Sequence, residues 1–371
     1  MKNLPNPVKI FASAGEVSGE KILAQVLIEL RSRLKVTVFK GLGGIECGRA
    51  GLKSLVPLKK LAVNGIWDVL IRFPFFLTVY LKVGKTIKQF QPDLVILVDY
   101  PGLNKRLLRL CKKQGIPVYY ISPPQIWAYK TRKTGLFENV HVQVLFIWEK
   151  DSYRLKGAKV SEGHFFQMPG KERTGEKAIC ICPGGRLPVI KRNLPLMVNL
   201  IRSSKLDILR EGELIVLVPP ELSGEVEKLY GKLLDSYGCE VASDSKLVFP
   251  RVGFAIAFPG TITLELALWD IPTLVFGKID TLTYLVGKLL LRSCWLSIPN
   301  ILSGQNVFPE LVSWRPGISR ETFDSRFHLL EKQSIPKDRL REALGPAEGQ
   351  KIAGDNCMHL LRFYDKNMVD A

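Results

Sequence analysis

The sequence predicts an α/β protein with two doubly wound, Rossmann-like domains that face a cleft. Short apolar runs alternate with longer segments of helical periodicity, a pattern typical of parallel sheets covered by helices on both faces. A polar stretch at residues 165–177, with Pro169, Gly170 and Gly175, interrupts the alternation, which then restarts. With 371 residues, of which 46% are apolar, the chain is long enough for two hydrophobic cores.

Five strands are predicted before the interruption. They cover residues 8–13, 35–40, 94–98, 117–121 and 143–148, and helices are predicted up to about residue 30 and at residues 104–114. Ligands of such sheets bind beyond the carboxyl ends of the strands. We therefore expect the turns at Gly15, Gly43, Asp99 and Ser122 to share one rim.

Five more strands are predicted after the interruption. They cover residues 178–182, 214–218, 246–249, 254–257 and 272–276, and the tail at residues 339–364 is typical of helices. We therefore expect an N-terminal domain at residues 1–165 and a C-terminal domain at residues 166–338. The helices at residues 339–371 are expected to pack back on the N-terminal domain.

Basic residues outnumber acidic ones by 53 to 35, which gives a net charge of +18. This surplus favours a polyanionic partner, such as nucleic acid, anionic lipid or a phosphorylated substrate. Because there is no dense Lys/Arg tract, we do not expect nucleic acid. We find no secretion signal and no apolar run of about 18 residues. The seven cysteines form no C-x-x-C pair, so a reducing cytoplasm is the simplest location.

Residues 66–90 are rich in Trp, Phe, Leu and Tyr, with Arg72, Lys82, Lys85 and Lys88 between them. One interpretation is a helix packed on the core with a solvated basic face. The other is an amphipathic element on an anionic membrane, with aromatic rings among the headgroups and Lys on phosphate. The proline at position 74 would kink or start a helix there.

Residues 183–186, Pro-Gly-Gly-Arg, follow a predicted strand and precede a helix. This pattern indicates an anion site, because Gly184 and Gly185 let the backbone approach a ligand and Arg186 can bind it bidentately. The alternative is an ordinary β–α turn with a surface Arg. A second turn of this kind, at residues 259–261, favours the functional interpretation.

Two carboxylates follow predicted strands in positions suited to chemistry. Asp99 can act as a general base toward an attacking hydroxyl, or it can simply cap the next helix. Glu265 can accept hydrogen bonds from two sugar hydroxyls, or it can complement the dipole of its helix.

Metal and cofactor chemistry is not indicated. The four histidines lack H-x-x-x-H or H-x-H spacing, and there is no D-x-D pair, P-loop or G-x-S-x-G elbow. We therefore expect no metal and no cofactor. A bound diphosphate would be neutralised by Arg, Lys and helix N-termini.

At these residues the sequence resembles the lipid A disaccharide synthases, glycosyltransferases of the GT-B fold, along nearly the whole chain. The matching stretches are residues 14–19, 41–44, 61–66, 98–101, 122–123, 127–128, 163–164, 183–186, 260–261 and 299–302, together with Glu265. Each stretch is short, but their order and spacing agree with the family.

The resemblance implies an inverting, metal-independent transfer of 2,3-diacylglucosamine from its UDP derivative to 2,3-diacylglucosamine 1-phosphate. The products are the β-1′,6-linked disaccharide 1-phosphate and UDP, formed at the cytoplasmic side of the bacterial inner membrane by a peripheral enzyme. The first domain would be the acceptor side and the second would bind the UDP-sugar. An anionic membrane surface is the expected partner, and the sequence leaves a homodimer open.

The resemblance also implies roles for individual residues. Asp99 would be the base and Arg186 an essential cation. The residues expected at the UDP-sugar are Gly15, Glu16, Ser18, Gly184, Gly185, Gly260, Thr261, Glu265 and Asn300. The residues expected at the acceptor or membrane are Trp67, Arg72, Phe75, Phe76 and Lys82.

The chain departs from the family at several positions. The departures are Glu20, Lys130, Gly185, Pro259, Lys278 and Gln305, of which three replace an Arg. Arg and Lys are not equivalent at bidentate phosphate sites. These differences leave two alternatives: a GT-B enzyme that uses a UDP-sugar with another acceptor, or a catalytically silent paralogue that binds lipid.

Overall fold

The computed structural model describes residues 7–61, 71–124, 135–166, 178–281, 284, 295–314 and 317–363. The chain divides into two compact units. The first holds the described residues up to Phe165 and those from Ala343 onward, and the second runs from Phe166 to Glu342. Each unit contains one sheet of parallel strands, which confirms the predicted fold class.

The first sheet has seven strands in the order β3-β2-β1-β4-β5-β6-β7. They are β1 (Val8–Ala14), β2 (Thr37–Leu42), β3 (Leu52–Ser54), β4 (Leu94–Val98), β5 (Val118–Ile121), β6 (His141–Val144) and β7 (Lys159–Glu162). The second sheet has six, in the order β10-β9-β8-β11-β12-β13. They are β8 (Ala178–Cys182), β9 (Leu214–Leu217), β10 (Cys239–Ala242), β11 (Val252–Ala257), β12 (Thr273–Lys278) and β13 (Glu310–Ser313).

Helices connect these strands. Up to the second sheet they are α1 (Val17–Arg33), α2 (Ile45–Arg49), α3 (Leu58–Leu61), α4 (Phe73–Phe90), α5 (Pro101–Lys113) and α6 (Glu149–Arg154). The later ones are α7 (Leu187–Ser203), α8 (Asp207–Glu211), α9 (Pro220–Ser236), α10 (Ser245–Val248), α11 (Thr261–Leu268), α12 (Ile298–Ser303), α13 (Arg320–His328), α14 (Lys337–Ala343) and α15 (Gly349–Phe363). In each sheet the winding reverses between two central strands, β1 and β4 in the first and β8 and β11 in the second.

The C-terminal segment is joined to the first sheet by a buried amide. The Gln143 side chain donates to the carbonyls of Gly163 and Gly349, both at 3.0 Å, and accepts from the Tyr119 hydroxyl at 2.7 Å. The backbones approach so closely here that a Cβ on Gly349 would lie 2.4 Å from the His164 carbonyl oxygen. Glycine is therefore required where α15 begins.

Two predicted strands differ from the structure. Residues 246–249 do not form a strand, because the Asp244 side chain accepts from the Lys246 N–H at 2.9 Å and caps the short helix α10. The strand predicted at residues 143–148 starts earlier and ends at Val144. Four further strands were missed, namely β3, β7, β10 and β13.

Replacing Gln143 by Leu should destabilise the first unit. The carbonyls of Gly163 and Gly349 and the Tyr119 hydroxyl would lose a buried partner, at a cost of about 2 kcal/mol. Calorimetric melting of Gln143→Leu beside Gln25→Leu, on the partly exposed face of α1, measures this effect. Equal melting temperatures for the two variants would contradict it.

Candidate functional site

The turns that follow β1 and β4 lie side by side. Ala14, the last residue of β1, pairs with Val98, the last residue of β4. The segment at Gly15 and the segment at Asp99 therefore leave the sheet together, at the point where its winding reverses. We call the turns after β1, β4 and β5 the first rim.

Gly15 and Tyr100 make the closest approach in the first rim. A Cβ on Gly15 would lie 2.3 Å from the Tyr100 ring, so only glycine fits beneath it. The Tyr100 hydroxyl donates to the Leu61 carbonyl at 2.9 Å, which fixes the far end of the ring. The two neighbouring turns are thus packed directly on one another.

The backbone of the first rim is strained. Asp99 and Tyr100 both adopt left-handed conformations, with φ of 46° and 49°, and Ser122, after β5, has φ of 47°. Side chains disfavour this region by about 1 kcal/mol or more per residue. Such strain at the ends of adjacent strands is typical of functional sites, and the half-buried Asp99 lies at its centre.

Glu16 and Ser18 are half-buried where α1 begins, beside Gly15. Glu20, one turn further, is buried, and its Oε1 accepts from the N–H groups of Glu46 at 2.9 Å and Cys47 at 3.3 Å. The carboxylate of Glu20, one of the positions at which this chain departs from the family, therefore caps helix α2, which begins after Gly44.

The turns after β8 and β11 are also adjacent. Cys182 pairs with Ala257, and the N–H of Phe258 donates to the Cys182 carbonyl at 2.8 Å. We call these turns, residues 183–186 and 258–261, the second rim. Because α7 begins directly after residue 186 and α11 begins at Thr261, two helix N-termini open on the same edge of the sheet.

The two glycines before Arg186 differ in what they require. Gly184 has φ of 126°, and a Cβ there would lie 2.6 Å from the Val189 side chain, whereas a Cβ on Gly185 would meet no atom within 4 Å. Arg186 is half-buried, and its carbonyl accepts from the N–H groups of Val189 and Ile190. The turn is built for glycine at 184 and open to solvent at 185.

The second turn of this rim has exposed backbone. Gly260 and Thr261 are exposed, and a Cβ on Gly260 would meet no atom within 4 Å. The Gly260 carbonyl is occupied by the Thr263 hydroxyl at 2.7 Å. Glu265 is half-buried one turn into α11.

The end of β12 is tied to the same edge. The Lys278 N–H donates to Oδ1 of Asn193, a fully buried residue of α7, at 2.6 Å. One residue earlier on α7, Arg192 forms an ion pair with Asp280, with 3.6 Å between Nη1 and Oδ2. The end of β12 is thus tied to α7 at residues 192 and 193, in the second turn of that helix.

Cys182, immediately before this rim, is not suited to nucleophilic attack. The hydrogen bond with Cys180 and complete burial raise the pKa of the Cys182 thiol well above its usual value. Among the residues that the structure describes, no group of three His, Cys, Asp or Glu side chains could hold a metal ion.

Asn300 lies on the short helix α12. It is fully buried, and its side chain bonds the backbone of Phe308 in both directions, at 2.7 and 2.8 Å. It also donates to Oε1 of Glu310 at 3.0 Å. These hydrogen bonds of Asn300 therefore brace residues 300–310.

The expected acceptor and membrane residues fall on α4 and before it. Phe75 and Phe76 are partly buried and pack on the core. Their ring centroids lie 5.2 and 5.5 Å from Cζ of the Arg72 guanidinium. Lys82 Nζ donates to the Leu55 carbonyl at 2.8 Å. Trp67 lies outside the described residues, as does Lys130.

The solvent face of α4 carries other apolar side chains. Phe73, Leu77 and Leu81 repeat every four residues and are 50%, 43% and 61% exposed. Ile71, just before the helix, is 75% exposed. None of the helices described here is long and apolar enough to cross a membrane.

Two buried polar residues that bond the first rim were not predicted from the sequence. Asn104 and Tyr120 are fully buried, and both donate to the main-chain carbonyl of Asp99, at 2.8 and 2.9 Å. For Asn104, the sequence signal was its place as a polar residue on the apolar face of α5, between Leu103 and Leu107.

Residues 10–354 match the family described as Lipid-A-disaccharide synthetase. The lipid-A-disaccharide synthase of Myxococcus xanthus is 30% identical over 351 residues, which cover 86% of this chain and 91% of that protein. The synthase of Geobacter metallireducens is 30% identical over 382 residues, covering 95% of this chain and 97% of its own length.

Solved structures similar to this chain share its fold at low sequence identity. The UDP-GlcNAc 2-epimerase of Neisseria meningitidis, bound to UDP-GlcNAc, has a TM-score of 0.55 at 12% identity and covers 95% of this chain and 99% of its own. Spinosyn rhamnosyltransferase, complexed with thymidine diphosphate, has a TM-score of 0.54 at 12% identity with the same coverage. These likenesses establish the GT-B fold.

Gly184 and Gly185 should respond differently to the same substitution. Gly184→Ala forces a methyl group into Val189 at a left-handed residue, so it should lower stability by about 1–2 kcal/mol. Gly185→Ala should stay within about 0.5 kcal/mol of the unaltered protein, because its Cβ points into open space. Calorimetric melting measures both, and a more destabilised Gly185→Ala would refute the described turn.

Proposed function

This chain belongs to the lipid-A-disaccharide synthetase family, and we propose that its two rims divide the work of one inverting glycosyl transfer. As a member, it is a glycosyltransferase of lipid A biosynthesis. The donor is UDP-2,3-diacylglucosamine and the acceptor is 2,3-diacylglucosamine 1-phosphate. The products are the β-1′,6-linked disaccharide 1-phosphate and UDP. The observation that carries the assignment is the in-register pairing of β8 with β11, which brings two helix N-termini to one edge.

The second rim binds the UDP portion of the donor. Backbone N–H groups at the beginnings of α7 and α11 favour an anion, and Arg186 adds a guanidinium that can bind two phosphate oxygens. As the bond between the sugar and the diphosphate breaks, negative charge grows on the leaving oxygen. Positive groups already in place stabilise it without reorganisation. Glu265, one turn into α11, accepts from sugar hydroxyls.

The first rim activates the acceptor. The 6-hydroxyl attacks the anomeric carbon of the donor on the face opposite the diphosphate, which inverts that carbon. Its proton passes to the Asp99 carboxylate, and UDP leaves with the bonding electron pair. One displacement completes the transfer, so no covalent sugar–protein intermediate is needed.

Asn300, on α12, contributes through the segment that follows it. Its side chain is occupied by the backbone of Phe308 and by Glu310, so we propose that it holds residues 300–310 in shape for the donor.

The exposed face of α4 rests on an anionic membrane, at the cytoplasmic side of the inner membrane. The opposite face of α4 is buried through Val79, Val83 and Ile87, so the fold does not require the exposed apolar side chains. Phe73, Leu77 and Leu81 enter the headgroup layer, and Lys85 and Lys88, later on the exposed side of α4, meet lipid phosphates. Such docking keeps the enzyme where both acylated substrates are dissolved.

Replacing Asp99 by Asn should reduce kcat by about 10²–10⁴-fold, because the acceptor hydroxyl loses its base. Arg186→Lys should also lower kcat, since an ammonium cannot bind the diphosphate bidentately. Disaccharide phosphate is measured by mass spectrometry with both acylated substrates in detergent. Asp151→Asn and Arg210→Lys, at exposed positions far along the sequence from both rims, are the controls. Full activity in Asp99→Asn would overturn its role.

Replacing Phe73, Leu77 and Leu81 together by Ser should weaken binding to vesicles of phosphatidylglycerol and phosphatidylethanolamine without lowering the melting temperature. The three side chains are exposed, so their removal costs the fold little. Phe75→Ser with Phe76→Ser should instead lower the melting temperature, because both rings pack on the core.

The matched control for vesicle binding replaces two exposed leucines of the second unit, Leu229 and Leu247, by Ser. Cosedimentation with the vesicles measures all variants. If the triple variant sediments as well as the control, the membrane proposal for α4 is wrong.

A further inference from the structure

Asp99 stands in a turn that is unusual because two consecutive non-glycine residues are left-handed. Asp99 and Tyr100 are consecutive left-handed residues, at φ of 46° and 49°. Glycine would adopt this backbone freely, but neither position is glycine. Contacts from other parts of the chain must therefore hold the turn.

The holding contacts converge on one atom. The main-chain carbonyl oxygen of Asp99 accepts from Nδ2 of Asn104 at 2.8 Å and from the hydroxyl of Tyr120 at 2.9 Å. A carbonyl oxygen has two lone pairs, and the two donors use both. The peptide plane between Asp99 and Tyr100 is therefore fixed in orientation, and with it the direction in which the Asp99 side chain leaves the backbone.

Asn104 is held in turn. Its Oδ1 accepts from the Ser13 hydroxyl at 2.8 Å, and its Nδ2 also lies 3.1 Å from the Val98 carbonyl. Because Ser13 lies on β1 and Val98 ends β4, the amide joins both strands that flank the winding reversal. The amide is completely buried, so no water competes for these bonds.

The opposite side of the Asp99 turn is closed by Tyr100. Its ring covers Gly15 and its hydroxyl donates to the Leu61 carbonyl at 2.9 Å. The turn is thus held at the Asp99 carbonyl and at the Tyr100 ring, and Asp99 itself is half-buried.

We infer that Asn104 and Tyr120 are positioning residues of the transfer, which hold the Asp99 carboxylate at the acceptor hydroxyl by bonding its main-chain carbonyl. The inference rests on the proposed role of Asp99 as the base. Proton transfer depends steeply on geometry, so loss of either donor lowers kcat while substrate binding remains.

The chain offers a matched pair of variants. Tyr119 and Tyr120 are neighbours on β5, are both fully buried, and each donates a hydroxyl hydrogen bond. Successive side chains of a strand point to opposite faces, and the Tyr119 hydroxyl serves Gln143 instead of Asp99. Tyr119→Phe and Tyr120→Phe therefore each remove one buried, hydrogen-bonded hydroxyl, at equal depth, from opposite sides of one strand.

The full-length variants are compared for kcat, for KM of both acylated substrates, for the pH profile of kcat and for melting temperature. Tyr120→Phe should lose about tenfold or more in kcat with KM unchanged. The acidic limb of its kcat–pH profile should also shift relative to that of the unaltered enzyme. Tyr119→Phe should keep the kcat and the pH profile of the unaltered enzyme, while both variants melt at similar temperatures.

The same assay includes Asp99→Asn. If Asp99→Asn is inactive but Tyr120→Phe matches Tyr119→Phe in kcat and pH profile, the positioning role is overturned and the base stands. If Asp99→Asn keeps full activity, the proposed base is wrong whatever the tyrosine variants do. The inference is also overturned if the lower kcat of Tyr120→Phe is fully explained by a lower melting temperature, that is, by loss of folded enzyme.

Discussion

In-register pairing of two central parallel strands is the constraint on which both rims depend. Ala14 pairs with Val98 in the first unit, and Cys182 pairs with Ala257 in the second. Two turns that leave a sheet at the same level compete for the same space, which is why Tyr100 can cover only a glycine at position 15. The same pairing brings backbone groups from distant parts of the sequence to one edge of each sheet, so no entropy is spent on ordering a long loop.

Buried asparagines fix the turns that this crowding produces. Asn104, Asn193 and Asn300 are all fully buried, and each bonds the backbone where a strand or a loop ends. A buried amide without partners is costly, so each can exist only if the surrounding backbone keeps one arrangement. Rigid turns of this kind suit a reaction in which charge and proton must be met by groups already in place.

The sequence indicates the central strands well and the edges poorly. The strands at residues 94–98 and 178–182 were predicted with their observed bounds, because a central parallel strand is buried on both faces and is continuously apolar. All four missed strands lie at sheet edges, where few side chains are buried. Asn104 was missed as well, since its partner Ser13 lies 91 residues away.

Helix α4 has apolar side chains on two faces, one buried and one exposed. Its buried residues, Val79, Val83 and Ile87, explain why it packs on the first sheet. They do not explain Leu81, which is 61% exposed, and covering its exposed part by an apolar environment would be favourable by about 1–2 kcal/mol. The two interpretations of residues 66–90 therefore do not exclude each other, because α4 has a buried face and an exposed apolar face. The net charge of +18 has the sign that would favour the anionic surface proposed for the exposed face.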